Sequence, residues 1–108
     1  MGLQSTAAGS QLAVINTEHS LTSKTGLGIY VLAVDLNAME AGDTVELRLK
    51  TKCIATGTVK NAYLDSYADV QAEPHKYSVP VPIDQEIVCT LRQTTGVART
   101  FPWNLLRA

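Results

Sequence analysis

From position 44 to 54, apolar and polar side chains alternate almost without a break. Val45, Leu47, Leu49, Thr51 and Cys53 take one parity, and Glu46, Arg48, Lys50 and Lys52 take the other. A strand sends successive side chains to opposite faces, so this pattern predicts a β-strand with one dry face and one wet face. Wound as a helix, the same apolar residues would be scattered around the whole circumference. Residues 87–93 repeat the pattern, with Ile87, Cys89 and Leu91 inward and Thr90 and Arg92 outward. In residues 29–36 both parities are apolar: Ile29, Val31 and Ala33 face one way, Tyr30, Leu32 and Val34 the other. Such a segment predicts a central strand, or one covered on both faces.

The remaining segments are weaker. Residues 11–16 read as a first strand with Leu12 and Val14 on one side, and residues 20–28, rich in Ser, Thr, Lys and Gly, as a loop. Asn37 as an N-cap with Glu40 three positions on predicts one helical turn over 37–40, before Gly42-Asp43 turns the chain. Gly57 predicts a hairpin turn over 55–58, followed by a strand over 59–70 with Val59, Asn61, Tyr63, Asp65 and Tyr67 on one face. Residues 76–82 alternate Tyr77, Val79 and Val81 with Ser78, Pro80 and Pro82. Proline cannot donate to a ladder, which predicts a sheet edge there. Thr94-Thr95-Gly96 predicts a hairpin, and residues 97–106 a closing strand broken by Pro102. Residues 1–10 are small and polar with no period, which predicts a mobile arm. About seven to eight short strands, with turns roughly every ten residues, predict an all-β fold. The expected architecture is an antiparallel β-sandwich or jelly-roll-like barrel over residues 11–108, preceded by the arm at 1–10.

Composition narrows the function. A chain of 108 residues fits one domain. Nine Lys and Arg against ten Asp and Glu give a net charge of −1, so no electrostatic surplus draws the chain to nucleic acid or an anionic membrane. The longest apolar run, residues 29–34, is too short to cross a bilayer, and residues 1–10 lack the basic and apolar regions of a secretory signal. Synthesis in the cytosol is expected. Cys53 and Cys89 lie far apart and read as free thiols filling small core positions. Neither has a second Cys or His at ligand spacing, so no metal or cofactor is expected.

His19 and His75 fall in predicted loops, away from any Ser, Cys or Asp pattern of a triad. With no Gly-rich phosphate loop, zinc-protease helix or paired Cys motif, a non-enzyme is expected. Arg48, Lys50 and Lys52, with Glu46 at their head, form a stripe that reads either as a solvated face or as a patch for an acidic protein surface. No aromatic interleaves with these charges to stack bases. Tyr63, Tyr67 and Tyr77 read as half-buried sheet residues, with a sugar-binding platform as the other reading. The run Phe101-Pro102-Trp103-Asn104-Leu105-Leu106 either seals the core or docks into a neighbouring subunit.

Five stretches carry a family resemblance: Tyr30-Val31-Leu32-Ala33-Val34-Asp35, Gly42-Asp43-Thr44-Val45-Glu46-Leu47-Arg48-Leu49-Lys50-Thr51-Lys52, Lys76-Tyr77-Ser78-Val79-Pro80-Val81-Pro82, Cys89-Thr90-Leu91-Arg92-Gln93-Thr94 and Phe101-Pro102-Trp103. Through them the sequence resembles short virion proteins of tailed bacteriophages, often encoded beside the major capsid protein. The resemblance implies a decoration, cement or head-vertex role on the capsid surface, with the major capsid protein as partner. It also implies a homo-oligomer, by analogy a trimer, whose many copies bind through multivalency. It transfers no set of binding residues. The contact residues expected from the pattern alone are Leu3 and Gln4 in the arm, Arg48, Lys50 and Lys52 on the charged face, and Phe101 and Trp103 in the closing run. A neck, tail or head-spike position, or a module binding glycan or a host surface, are the alternatives.

Overall fold

A computed structural model describes residues 4–108. Its strands form two sheets. Sheet A runs β1 (Gln4–Leu12), β9 (Thr100–Arg107), β3 (Gly28–Asp35) and β6 (His75–Tyr77), with β7 (Val81–Ile83) also beside β3. Sheet B runs β2 (Glu18–Thr25), β8 (Glu86–Thr95), β4 (Thr44–Thr51) and β5 (Lys60–Ala68). Every pairing is antiparallel. The two sheets pack face to face as a β-sandwich in one compact domain.

The alternating segments place their apolar parity where the pattern requires. Val45, Leu47 and Leu49 of β4 and Ile87, Cys89 and Leu91 of β8 are buried on the inner face of sheet B. They meet Tyr30, Leu32 and Val34 of β3 and Phe101 and Leu105 of β9 from sheet A. Each large side chain covered here stabilises the fold by about 1.5–3 kcal/mol relative to its exposed state. Burial pushes the Cys89 thiol up to about 12, as expected for an inert core residue.

Two connections lock the sheets together. Asp43, between β3 and β4, is 1 % exposed and accepts from the backbone N–H of Glu40 (2.9 Å), from Val97 N–H (3.2 Å) and from Arg99 Nε (3.0 Å). Burial works against its charge, but these donors outweigh it and hold the carboxyl below the usual range. Gln93, fully buried on β8, donates to the carbonyls of Thr95 and Val97 and accepts from Arg99 N–H. Its side chain is thereby satisfied inside the core.

Several expectations need correction. The arm expected over 1–10 is strand from Gln4 onward, paired along its length with β9. Backbone hydrogen bonding, not apolar content, orders it. The loop expected over 20–28 is largely strand β2, held against β8 in the same way. No helical turn forms over 37–40. The Asp35 carboxylate accepts from Asn37 N–H (2.9 Å), and the chain passes through a turn instead. Residues 76–82 hold two short strands, β6 and β7, at the edge of sheet A. Between them Ser78 N–H donates to Leu32 carbonyl, and Ser78 Oγ accepts from Leu32 N–H. Gly96 does not close a hairpin: β8 and β9 belong to different sheets. Cys53 lies beyond the end of β4 and is exposed. Pro102 does not break β9. It sits opposite Ser10 of β1, one residue past the last pairing with β3 at Val34–Trp103.

Candidate functional site

The outer faces of the two sheets differ in chemistry. On sheet B, strand parity turns Glu46, Arg48 and Lys50 of β4 outward. The register sets them beside Thr90 and Arg92 of β8 and, across β8, Glu18 of β2. Every cation of the sequence stripe has a carboxylate beside it. Arg48 lies 3.3 Å from Glu46, Lys50 Nζ 2.8 Å from Glu18, and Lys52 Nζ 3.6 Å from Glu86. Thr90 Oγ1 also donates to Glu18 (2.7 Å). Hydrogen bonds from Lys50 and Thr90 hold the Glu18 carboxyl below its ordinary value, against the opposing effect of partial burial. Arg92 Nε is buried in this lattice without a hydrogen-bond partner among the described residues. The stripe is therefore neutralised locally and does not project a positive field. Glu18 and Glu86 come from other strands, and a linear reading of 44–54 does not reveal them.

Sheet A is different. Its outer parity carries Ile29, Val31 and Ala33 of β3, Leu106 and Pro102 of β9, Ala8 and Leu12 of β1, and Tyr77 of β6, with the uncharged polar residues Ser5, Ser10, Thr100 and Asn104 between them. Ile29 is 45 % and Tyr77 61 % exposed. Pro82 of β7 and the exposed Val79 extend the surface at its edge. Among the described residues of the five strands, the acidic and basic side chains on this face are Asp35 and His75, which sit 3.5 Å apart. The apolar residues at 29, 31 and 33 were the signal for this surface. β3 is central, as its two apolar parities predict, but only one of its faces is covered.

A shallow depression of about 220 Å³ opens where β3 and β9 diverge, lined by Ala33, Asp35, His75, Tyr77, Pro102 and Asn104, together with Val34 and Trp103. It brings an exposed aromatic ring and a proline together with a carboxylate, an imidazole and an amide. Among the lining residues only Tyr77 carries a hydroxyl, and no thiol is present. The arrangement suits reception of a flat apolar or aromatic group, with polar contacts at its rim.

The other expected residues lie elsewhere. Gln4 starts β1 opposite Arg107 and is exposed, whereas Leu3 lies outside the described residues. Phe101 is fully buried, so it seals the core and is unavailable to a partner. Trp103 is half-buried on the inner side of β9 and packs against the core. The three tyrosines do not form one platform. Tyr63 and Tyr67 pack on the core from β5, and both hydroxyls donate to Asp65 Oδ2, at 3.2 and 2.8 Å. The Tyr67 bond, with help from Tyr63 and Ser66 N–H, holds Asp65 below the usual carboxyl range despite partial burial. Partial burial and the Asp65 carboxylate push both phenols up. Tyr77 belongs to the other sheet. His19 Nε2 accepts from Val14 N–H (3.0 Å), a turn-stabilising role. No group of three or more metal-ligating side chains occurs among the described residues.

No family model, no curated protein and no solved structure matches this chain.

Proposed function

We propose that this chain is a non-catalytic structural protein that docks onto a larger protein assembly through the outer face of sheet A. In this reading it is an accessory protein of a tailed-phage virion, with the major capsid protein as its partner. One observation carries the docking part: a broad sheet face on which, among the described residues, Asp35 and His75 are the only acidic or basic side chains, while the opposite face holds a self-neutralised charge lattice. Ile29, Val31, Leu106, Pro102 and Tyr77 give this face an apolar share interrupted by Ser10, Asn104 and Thr100, and exposed apolar residues grouped on one face mark interaction sites. The virion assignment rests on the sequence resemblance.

The test is co-sedimentation with phage heads assembled from a major capsid protein. The native chain is expected to pellet with heads. Ile29→Lys and Tyr77→Asp, both at exposed positions, are expected to weaken binding about tenfold or more, while Arg48→Ala on the opposite face leaves it unchanged. A native chain that stays in the supernatant overturns the virion assignment. Binding that survives both sheet A variants overturns the docking face. Copy number separates a head decoration protein from a neck or tail component, because the latter follows ring symmetry.

The depression beside Tyr77 favours one second reading, a site for a sugar ring stacked on the phenol with Asp35, His75 and Asn104 at its rim. Retention on a glycan array that is lost in Tyr77→Ala supports it, and an array without hits removes it.

A further inference from the structure

The sandwich has four edges, and three are guarded against pairing with another chain. β2 carries Glu18 and Lys24 and shifts register between Ser20 and Thr22. β5 carries Lys60 and Asp65. β6 and β7 are three residues each, with Pro80 between them and Pro82 inside β7. Charges, bulges, short length and proline are the usual defences of an exposed edge. β1 has nine residues, no charge and no proline; its one irregularity lies at its start, between Ser5 and Ala7. From Ala7 to Leu12 it runs in regular register with β9.

The hydrogen-bond phase identifies the backbone groups that face outward. Ala13 N–H donates to Arg99 carbonyl (2.8 Å), next in register after Leu12–Thr100. Antiparallel ladders alternate bonded and non-bonded pairs, so Gln11 and Gly9 exchange bonds with β9. Ala8, Ser10 and Leu12 then direct their N–H and C=O groups to the open edge. Two observations agree. Pro102, which has no N–H, lies opposite Ser10 in a non-bonded pair. The Leu12 carbonyl is taken by the Gln11 side-chain amide (2.9 Å), not by β9.

We propose that β1 pairs antiparallel with β1 of a second copy about a two-fold axis at Ser10, joining two A sheets into one continuous sheet. In that register Ser10 faces Ser10, Ala8 faces Leu12 of the second copy, and Gly9 faces Gln11. Each pair sets a small residue against a larger one or against its equal, and no like charges meet. The exposed Leu12 gains a cover across the axis. Gly9 also leaves open the ground above Trp103, whose ring would lie 3.3 Å from any Cβ there, so the half-buried indole lies beside this edge. The pairing is two-fold, unlike the trimer that the family resemblance implies, and it is made by the backbone of β1 and does not use Ile29 or Tyr77.

Sedimentation of the full chain tests it. The expected mass is twice 11.6 kDa. Ser10→Lys sets two charges face to face at an exposed position and is expected to raise the dimer dissociation constant about tenfold or more, with an unchanged far-UV spectrum. In a Cys53→Ser background, Ser10→Cys is expected to form a disulfide dimer on mild oxidation, whereas Ser20→Cys on the β2 edge is not. A monomer or trimer mass for the native chain, or a dimer indifferent to Ser10→Lys, overturns the proposal. If Ser10→Lys fails to fold, the cross-linking pair decides, and absence of the Ser10→Cys dimer overturns it.

Discussion

Removal of the Asp43 carboxylate is expected to cost this fold far more than removal of any carboxylate on its surface. Asp43 is buried and its two oxygens take three donors: Glu40 N–H, Val97 N–H and Arg99 Nε. Hydrogen bonds to a charged group contribute about 1.5–3 kcal/mol each, which sets an upper limit near 4.5–9 kcal/mol for the three. Arg99 is partly exposed and regains water, so Asp43→Ala is expected to cost about 3–5 kcal/mol, the range for breaking a buried ion pair. At about 4–8 °C of Tm per kcal/mol for a domain of this size, the midpoint falls by roughly 12–40 °C. Asp43→Asn keeps one acceptor and should lose about half as much. Urea titration followed by Trp103 fluorescence and far-UV circular dichroism measures both variants. The folded-state pKa of Asp43 is depressed, so its ionic stabilisation is complete above the unfolded value of about 3.9 and fades as pH falls through the folded value. The gap between wild type and Asp43→Asn should therefore narrow below about pH 4. An Asp43→Ala loss under about 1 kcal/mol, or a gap that stays constant into strong acid, refutes the assignment of this group as a clamp.

Other perturbations probe the same structure. Gly96 has φ near +94°, and a Cβ there would lie 1.9 Å from Asp43 Oδ1, so Gly96→Ala is expected to destabilise by about 2–4 kcal/mol in the same urea titration. Glu18→Gln removes a half-exposed partner of Lys50 and should cost no more than about 1 kcal/mol, less at high salt, as read by thermal melts at two ionic strengths. A thiol reagent should label Cys53 at once in the native chain and reach Cys89 only after unfolding, so mass spectrometry should find a single adduct before denaturant is added.

The legible parts of the sequence were those whose strands bury one parity and wet the other. β4 and β8 satisfy that condition along most of their length, and their inner residues are the buried ones. β1 and β2 do not. The inward parity of β1 holds Ala7, Gly9 and Gln11, and β2 turns His19, Thr22 and Lys24 inward with one apolar residue, Leu21 at its register shift, packed on the core, because both strands border the open side of the sandwich. Their order comes from ladders to β9 and β8, partners more than sixty positions away, and no local window contains that information. The same distance hid the ion-pair partners of Lys50 and Lys52. The apolar outer face of sheet A was visible as residues 29, 31 and 33, but a second apolar parity does not say whether a second layer covers it.

Six of the eight links between successive described strands pass from one sheet to the other; only β4–β5 and β6–β7 remain within a sheet. Neither sheet can therefore be assembled from neighbouring segments ahead of its mate. The rate-limiting nucleus has to gather distant parts of the chain, and refolding from urea belongs on the millisecond-to-second timescale of non-local topologies, as a single phase without a stable half-molecule.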